Sequence, residues 1–271
     1  MAFWATGTFV KAAIAGIFAT TLGQTGPALA ENFSVLAKYN ISFLGLPVGR
    51  MKNSMTVSGD NYTISGGART SGAVAVVAGV RASFASKGKI SKGAVIPASF
   101  NVDFKTKKKT GKIGLNYKNG SISAVSATPK IKYKPGSVPV EKAHLRNVLD
   151  PLSSLLFTVA DSEIGNGVSI CNRTVPLFDG KARINLKFSY KSKSRARVEG
   201  FSGDVFHCAV RYQPVSGIRP NKKNIKFLKA NRDMQVSVAR IAGTNLYTLF
   251  GFNVATDKGR ATGSAYYFVK K

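Results

Sequence analysis

CNRTVPLFDGKARINLKFSYKSKSRARVEGFSGDVFHCAVRY, residues 171–212, is the stretch whose reading decides the fold. Asp179-Gly180 is a turn signal. Beyond it Ile184, Leu186, Phe188 and Tyr190 alternate with Arg183, Asn185, Lys187 and Ser189, which is the period of a strand with one face buried and one in water. Phe206, Cys208, Val210 and Tyr212 repeat the pattern, with His207 and Arg211 on the opposite face. Cys208 therefore lies among apolar neighbours, where Cys171 can reach it across the intervening loop.

The same alternation extends outward in both directions. Val35 to Phe43, a turn at Gly45 to Gly49, and Met51 to Val57 predict a hairpin. Ala98 to Lys105, Lys112 to Lys118, the turn Asn119-Gly120 and the return through Ile122 predict a three-stranded meander, because Asn-Gly suits a turn with positive φ at both positions. Met234 to Val238, Leu246 to Val254 and Ala265 to Val269 predict the last strands. Ala73 to Ala78 is continuously apolar and fits either a strand or a helix. In mid-chain Pro129, Pro135 and Pro139 break the pattern. Leu145, Val148 and Leu149 then share a helical face, and Asp150-Pro151 reads as the cap and first residue of a second helix running to Phe157. The expected fold is all-β and mainly antiparallel: an open or incomplete β-barrel, or a β-sandwich-like arrangement, with a short helical insert near the middle. Residues 31–271 are expected to form one β-rich domain, with a first β half at 31–128, the insert at 137–158 and a disulfide-stapled second half at 168–271.

The N-terminus sets the expected compartment. Lys11 is followed by the uncharged apolar run Ala12 to Leu22 and then by Ala28-Leu29-Ala30 before Glu31. This predicts a secretory signal peptide over residues 1–30 and a periplasmic protein. The run is shorter than the ~20 residues a spanning helix needs, and no later run is long enough. In an exported chain the two cysteines, Cys171 and Cys208, predict one disulfide.

Charge is the other strong signal. The chain has 40 Lys and Arg against 12 Asp and Glu, a net +28. Only Lys11 of these precedes Glu31, so the remainder is near +27. Such a charge attracts polyanions. Export argues against nucleic acid and for anionic envelope lipid, lipopolysaccharide or acidic polysaccharide, with envelope proteins as further partners. Four basic clusters stand out. Lys105, Lys107, Lys108, Lys109 and Lys112 crowd one hairpin tip, and Lys187, Lys191, Lys193, Arg195 and Arg197 line another hairpin. These ten are the candidate anion contacts. Lys130, Lys132 and Lys134, and then Lys222, Lys223, Lys226 and Lys229, form the lesser two. Lysines at hairpin ends also guard sheet edges against aggregation.

Catalytic residues are not expected, nor is a cofactor or a metal. His207 neighbours Cys208 but points to the other strand face, and a disulfide would consume the thiol. Asp161 and Glu163 would share a strand face, with no third carboxylate near in sequence to complete a cation site. Gly165-Asn166-Gly167 lacks the context and lysine of a phosphate-binding loop and reads as a turn.

Tyr39-Asn40-Ile41-Ser42-Phe43-Leu44-Gly45-Leu46-Pro47-Val48-Gly49 resembles the start of the bacterial family called domain of unknown function 3108. Asp150-Pro151-Leu152-Ser153-Ser154-Leu155-Leu156 looks like that family's helical segment, and Cys208-Ala209-Val210-Arg211-Tyr212 is similar to its strand before the final sheet. The resemblance covers nearly all of the chain after residue 30. It implies an exported β-rich envelope protein and supplies no catalytic residues. The expected function is a non-enzymatic periplasmic protein that supports the envelope by binding an anionic or amphipathic component. The alternative is a scaffolding partner of envelope proteins that works through an exposed sheet edge.

Overall fold

The computed structural model describes residues 32–77 and 79–271. The signal peptide expected over residues 1–30 lies outside them. Fourteen strands run through the described residues: β1 (Phe33–Phe43), β2 (Leu46–Ser58), β3 (Asn61–Thr70), β4 (Arg81–Ser91), β5 (Ala94–Lys105), β6 (Thr110–Lys118), β7 (Ser121–Thr128), β8 (Phe157–Thr158), β9 (Arg173–Phe178), β10 (Arg183–Val198), β11 (Phe201–Ser216), β12 (Met234–Arg240), β13 (Leu246–Thr256) and β14 (Gly259–Lys270). Three short helices join them: α1 (Gly72–Val77), α2 (Gly167–Cys171) and α3 (Lys223–Ala230).

All but β8 lie along one antiparallel path, β7-β6-β5-β4-β3-β2-β1-β14-β13-β12-β11-β10-β9, and β8 pairs with β13. The path follows chain order except where β1 meets β14. Strand alternation decides which side is inside. Phe33, Val35, Ala37 and Tyr39 of β1 are buried, as are Met55 and Val57 of β2 and Tyr62 and Ile64 of β3. They form one cluster with Leu249, Phe250, Ala265 and Phe268 from the far end of the chain. A right-handed twist accumulated over so many strands curls a sheet on itself. Here the two edges, β7 and β9, approach but do not pair with each other.

Residues 145–149 fill the seam between those edges. Asn147 N–H donates to Gly120 O (2.9 Å) at the β7 end. Leu149 N–H donates to Pro176 O (2.8 Å), and Phe178 N–H donates back to Leu149 O (2.9 Å), at the β9 end. Val148 turns inward against Phe100, Leu115 and Phe178. The result is the incomplete barrel the strand pattern predicts, with its gap strapped by the mid-chain insert.

The helical insert is shorter than its spacing predicts. It holds two one-turn 3-10 helices, Lys142–Leu145 and Ser153–Leu155, and Phe157 opens β8. Leu145, Val148 and Leu149 do not share a helix face, because Asn147 takes φ 49° and turns the chain extended toward the β9 edge. Asp150 does cap the second turn: its Oδ1 accepts from Leu152 N–H (2.9 Å) and Ser153 N–H (3.0 Å). Asp161 and Glu163 sit on a third 3-10 turn rather than a strand, and Asn166 caps α2 by accepting from Val168 N–H and Ser169 N–H. Of the ambiguous apolar run, the part up to Val77 lies in α1.

Cys171 and Cys208 form a disulfide with Cα atoms 5.4 Å apart. Both are fully buried, beside Phe188, Phe206 and Val238. On the inner face of β3, Gly66 leaves room for the ring of Phe84 directly across the ladder. A Cβ at that position would stand 2.5 Å from the ring and 2.2 Å from Lys52 O.

Candidate anion-binding groove

Because Tyr39, Met55, Tyr62 and Ile64 point inward, the residues between them on β1–β5 face solvent. In that outward register, Arg50 stands opposite Arg69, Arg69 opposite Arg81, and Arg81 opposite Lys105. Strands lie ~4.8 Å apart, so four cations on neighbouring strands share a line of about 15 Å. Like charges directly opposite each other destabilise a sheet. Arg69 and Arg81, each with a cation on either side, bear most of that cost. One step along the strands, Lys38 faces Lys52, and Lys52 faces Gly67.

Gly67 gives the surface its depression. A Cβ there would come within 2.9 Å of Ala82 O, so the position carries no side chain between the two rows. The resulting groove encloses about 470 Å³ among Lys38, Arg50, Lys52, Arg69 and Arg81, with Gly67 at its floor and Tyr266 at its rim. Lys38 Nζ sits 4.0 Å above the ring of Tyr267, a cation–π contact that holds the ammonium beside the groove.

Among the described residues the ion pairs within 4 Å are Lys112–Asp103 (3.7 Å), Lys193–Asp204 (3.2 Å) and Arg260–Asp233. None involves the groove cations. Their potentials therefore add over a shallow concavity, the arrangement that concentrates anionic ligands.

The two sets of expected anion contacts divide. Lys105 ends the cation row, and Lys107, Lys108 and Lys109 occupy the turn beyond it, ordered by Thr106 Oγ1 accepting from Lys108 N–H and Lys109 N–H. Lys112 is engaged by Asp103. Lys187, Lys191, Lys193, Arg195 and Arg197 are exposed on β10, near the opposite edge of the sheet path. That set is partly committed: Lys193 pairs with Asp204, Arg195 faces Asp204 across the ladder, and Lys191 donates to Gln235 Oε1 (3.2 Å). The sequence reading missed Lys38, Arg50, Lys52, Arg69 and Arg81. Apart from Arg50 and Lys52, two residues apart, they occur singly in the chain, and only strand register gathers them. Counting back from the β2–β3 turn finds the Arg50–Arg69 pair, while the α1 connection and the bulge between Lys87 and Gly88 hide the rest of the row from such a count.

The remaining polar constellations hold the fold. Asp150 is fully buried. Its Oδ2 accepts from Ser86 Oγ–H (3.0 Å) and Ser153 Oγ–H (2.5 Å), and Tyr62 Oη shares a hydrogen bond with Ser153 Oγ (2.6 Å). Burial pushes the Asp150 carboxyl pKa up despite those donors. The cluster ties the mid-chain insert to β3 and β4. His207 lies on the strand face opposite Cys208, between Ser194 Oγ and Ser237 Oγ at 2.8 Å each. Burial, then nearby Lys191, lowers its pKa. Glu163 accepts from Asn166 and Ser169, while Asp161 accepts from Asn245, so the two carboxylates look to different partners. Among the described residues no group of three His, Cys, Asp or Glu side chains comes together to hold a metal, and no helix is long and apolar enough to cross a membrane.

Residues 38–262 match the family described as protein of unknown function (DUF3108), and the chain belongs to that family. No curated protein matches it. Among solved structures the chain is similar to a beta-barrel-like protein of domain of unknown function DUF1849 from Brucella abortus. That protein is 11% identical, with 88% of this chain and 96% of the other covered and a TM-score of 0.47.

Proposed function

We propose that this DUF3108 protein is a non-enzymatic periplasmic binding protein that supports the cell envelope by holding an anionic component in the groove of β1–β5. The observation that carries the reading is the row Arg50, Arg69, Arg81 and Lys105. Placing like charges on four adjacent strands works against the fold, and an anionic ligand turns the same arrangement into attraction. Arginine suits the task, since its planar fork pairs bidentately with phosphate and carboxylate. The signal pattern of residues 1–30 and the disulfide support an exported location. Purified protein should bind lipopolysaccharide, anionic lipid or acidic polysaccharide at low salt, and Arg50→Gln/Arg69→Gln/Arg81→Gln should lose at least tenfold in affinity. Equal affinity in the triple variant would sink the assignment to this groove.

A second reading, scaffolding of envelope proteins through a sheet edge, is favoured by β7. Its sequence SISAVSAT has no charged residue, although the chain is so basic, and Val125 is exposed on it. Beyond Ser121, which Arg146 bridges, this uncharged edge is open to pairing with an added strand. Val125→Lys should abolish any adduct that forms on this edge in cells, and an unchanged adduct would argue against the edge.

A further inference from the structure

The three most exposed large apolar side chains among the described residues are Val76 (71%), Leu46 (68%) and Leu44 (62%). All three stand at one end of the barrel. Antiparallel order puts the β1–β2 turn, the α1 connection, the β5–β6 turn and the β13–β14 turn at that end. Direct contacts join them. Ser71 N–H donates to Val48 O (3.0 Å), and Leu44 N–H donates to Arg260 O (2.9 Å). Gly259 lies against the Leu44 side chain, and Gly79 against the stem of Lys107. Immediately behind the apolar tips runs the row Arg50, Arg69, Arg81 and Lys105. Lys107, Lys108 and Lys109 fill the third turn and Lys258 the fourth, and Asp257 is the one carboxylate in the four connections.

Turn chemistry sharpens the point. Leu44-Gly45 is a two-residue hairpin turn with φ 52° and 80°. Lys92-Gly93 (50°, 73°) and Asn119-Gly120 (52°, 72°) make turns of the same form at the opposite end of the barrel. A first residue with positive φ favours Asn or Gly, and a bulky side chain there is disfavoured. The opposite end carries Lys and Asn at this position, and this end carries an exposed leucine. Neither backbone preference nor core packing explains Leu44.

We infer that this end of the barrel docks on an anionic phospholipid bilayer, with Leu44, Leu46 and Val76 entering the interface and the cation row behind them meeting the headgroup phosphates. Apolar residues ahead of a basic belt is the pattern of interfacial attachment, in which buried apolar area and attraction to anionic headgroups act together. The inference rests on the anion-binding reading and names its partner.

The test is flotation with phosphatidylglycerol vesicles and with neutral phosphatidylcholine vesicles. The protein is carried with and without residues 1–30, so that the apolar run at 12–22 cannot supply the binding. Phosphatidylglycerol vesicles should carry the protein and neutral ones should not, with binding at least tenfold weaker in 0.5 M salt. Leu44→Asn/Leu46→Ser/Val76→Ser should also weaken binding at least tenfold, with an unchanged circular dichroism spectrum and melting temperature. Leu46→Trp in a Trp4→Phe background should shift its emission to the blue on anionic vesicles alone. Full binding by the triple variant, or no blue shift, overturns the inference. Binding to soluble polygalacturonate but not to vesicles overturns it while leaving the anion-binding reading standing. Binding to neither at low salt overturns both.

Discussion

Replacing Arg69 by glutamine should make the protein more stable. Arg69 stands between Arg50 and Arg81 in consecutive cross-strand pairs. If the guanidinium groups splay to ~7 Å from their neighbours, each repulsion in water is about 0.6 kcal/mol by Coulomb's law. A Debye length of about 30 Å at 10 mM salt leaves most of that, and one of about 8 Å at 0.15 M leaves less than half. Summed over two neighbours, Arg69→Gln should gain about 1 kcal/mol in 10 mM salt and about half of that in 0.15 M. Glutamine keeps most of the aliphatic stem, so little packing is lost. For a protein of this size the low-salt gain corresponds to a rise of roughly 2–4 °C in melting temperature. Urea melts of both proteins across a salt series measure it. A less stable variant, or a gain that ignores salt, would refute the claim that the row is unfavourable to the unliganded fold. The same change should weaken anion binding, the trade of stability against function expected at a binding site.

Three further outcomes follow from the interior. Cys171→Ala with Cys208→Ala removes a link between residues 37 apart in sequence, and should cost about 3–4 kcal/mol in denaturant melts; a loss under ~1 kcal/mol would show that the loop is already constrained when unfolded. Asp150 has a folded pKa raised by burial, so the folded state holds its proton more tightly than the unfolded chain. Stability should fall as pH rises from about 4 through the raised value. Asp150→Asn should remove that fall and surpass the natural protein at pH 8, and parallel pH profiles would disprove the linkage. Gly66→Ala must displace Phe84 and the Lys52 carbonyl, costing about 1–3 kcal/mol; calorimetry showing no change would mean that β3 and β4 relax freely.

Much of this architecture was legible from alternation alone. Ile184 to Phe188 and Phe206 to Tyr212 fall on β10 and β11 as their period requires, Tyr190 is exposed where a bulge shifts the register, and the two cysteines pair as expected. Asn119-Gly120 gave its hairpin because the turn depends on two adjacent residues. The mid-chain insert was harder to read. Leu145, Val148 and Leu149 have helical spacing, yet Asn147 adopts positive φ so that the segment can pair with both sheet edges. That choice is made by tertiary contacts, which outweigh a weak local preference. The groove was hidden for a related reason. Lysine runs such as Lys107 to Lys109 are visible in sequence, while Arg50, Arg69 and Arg81 are isolated cations whose association exists only in the register of β2, β3 and β4. Composition gave the sign of the surface charge, and only pairing gave its location.

The pairing of β1 with β14 bears on how the chain reaches this state. Every other neighbour on the main sheet path is also a neighbour in sequence, so β1 to β7 and β9 to β14 can each grow by successive hairpins. Joining the first strand to the last closes a loop of more than 200 residues, at about 5 kcal/mol of chain entropy beyond the constant for contact. That step is the natural kinetic bottleneck, because the entropy of closure is lost before the shared core of Tyr39, Phe250 and Phe268 can form. A permuted chain that linked residue 271 to residue 32 and opened between Pro129 and Pro139 would turn the sheet path into one uninterrupted meander, and refolding would no longer wait on its two ends finding each other.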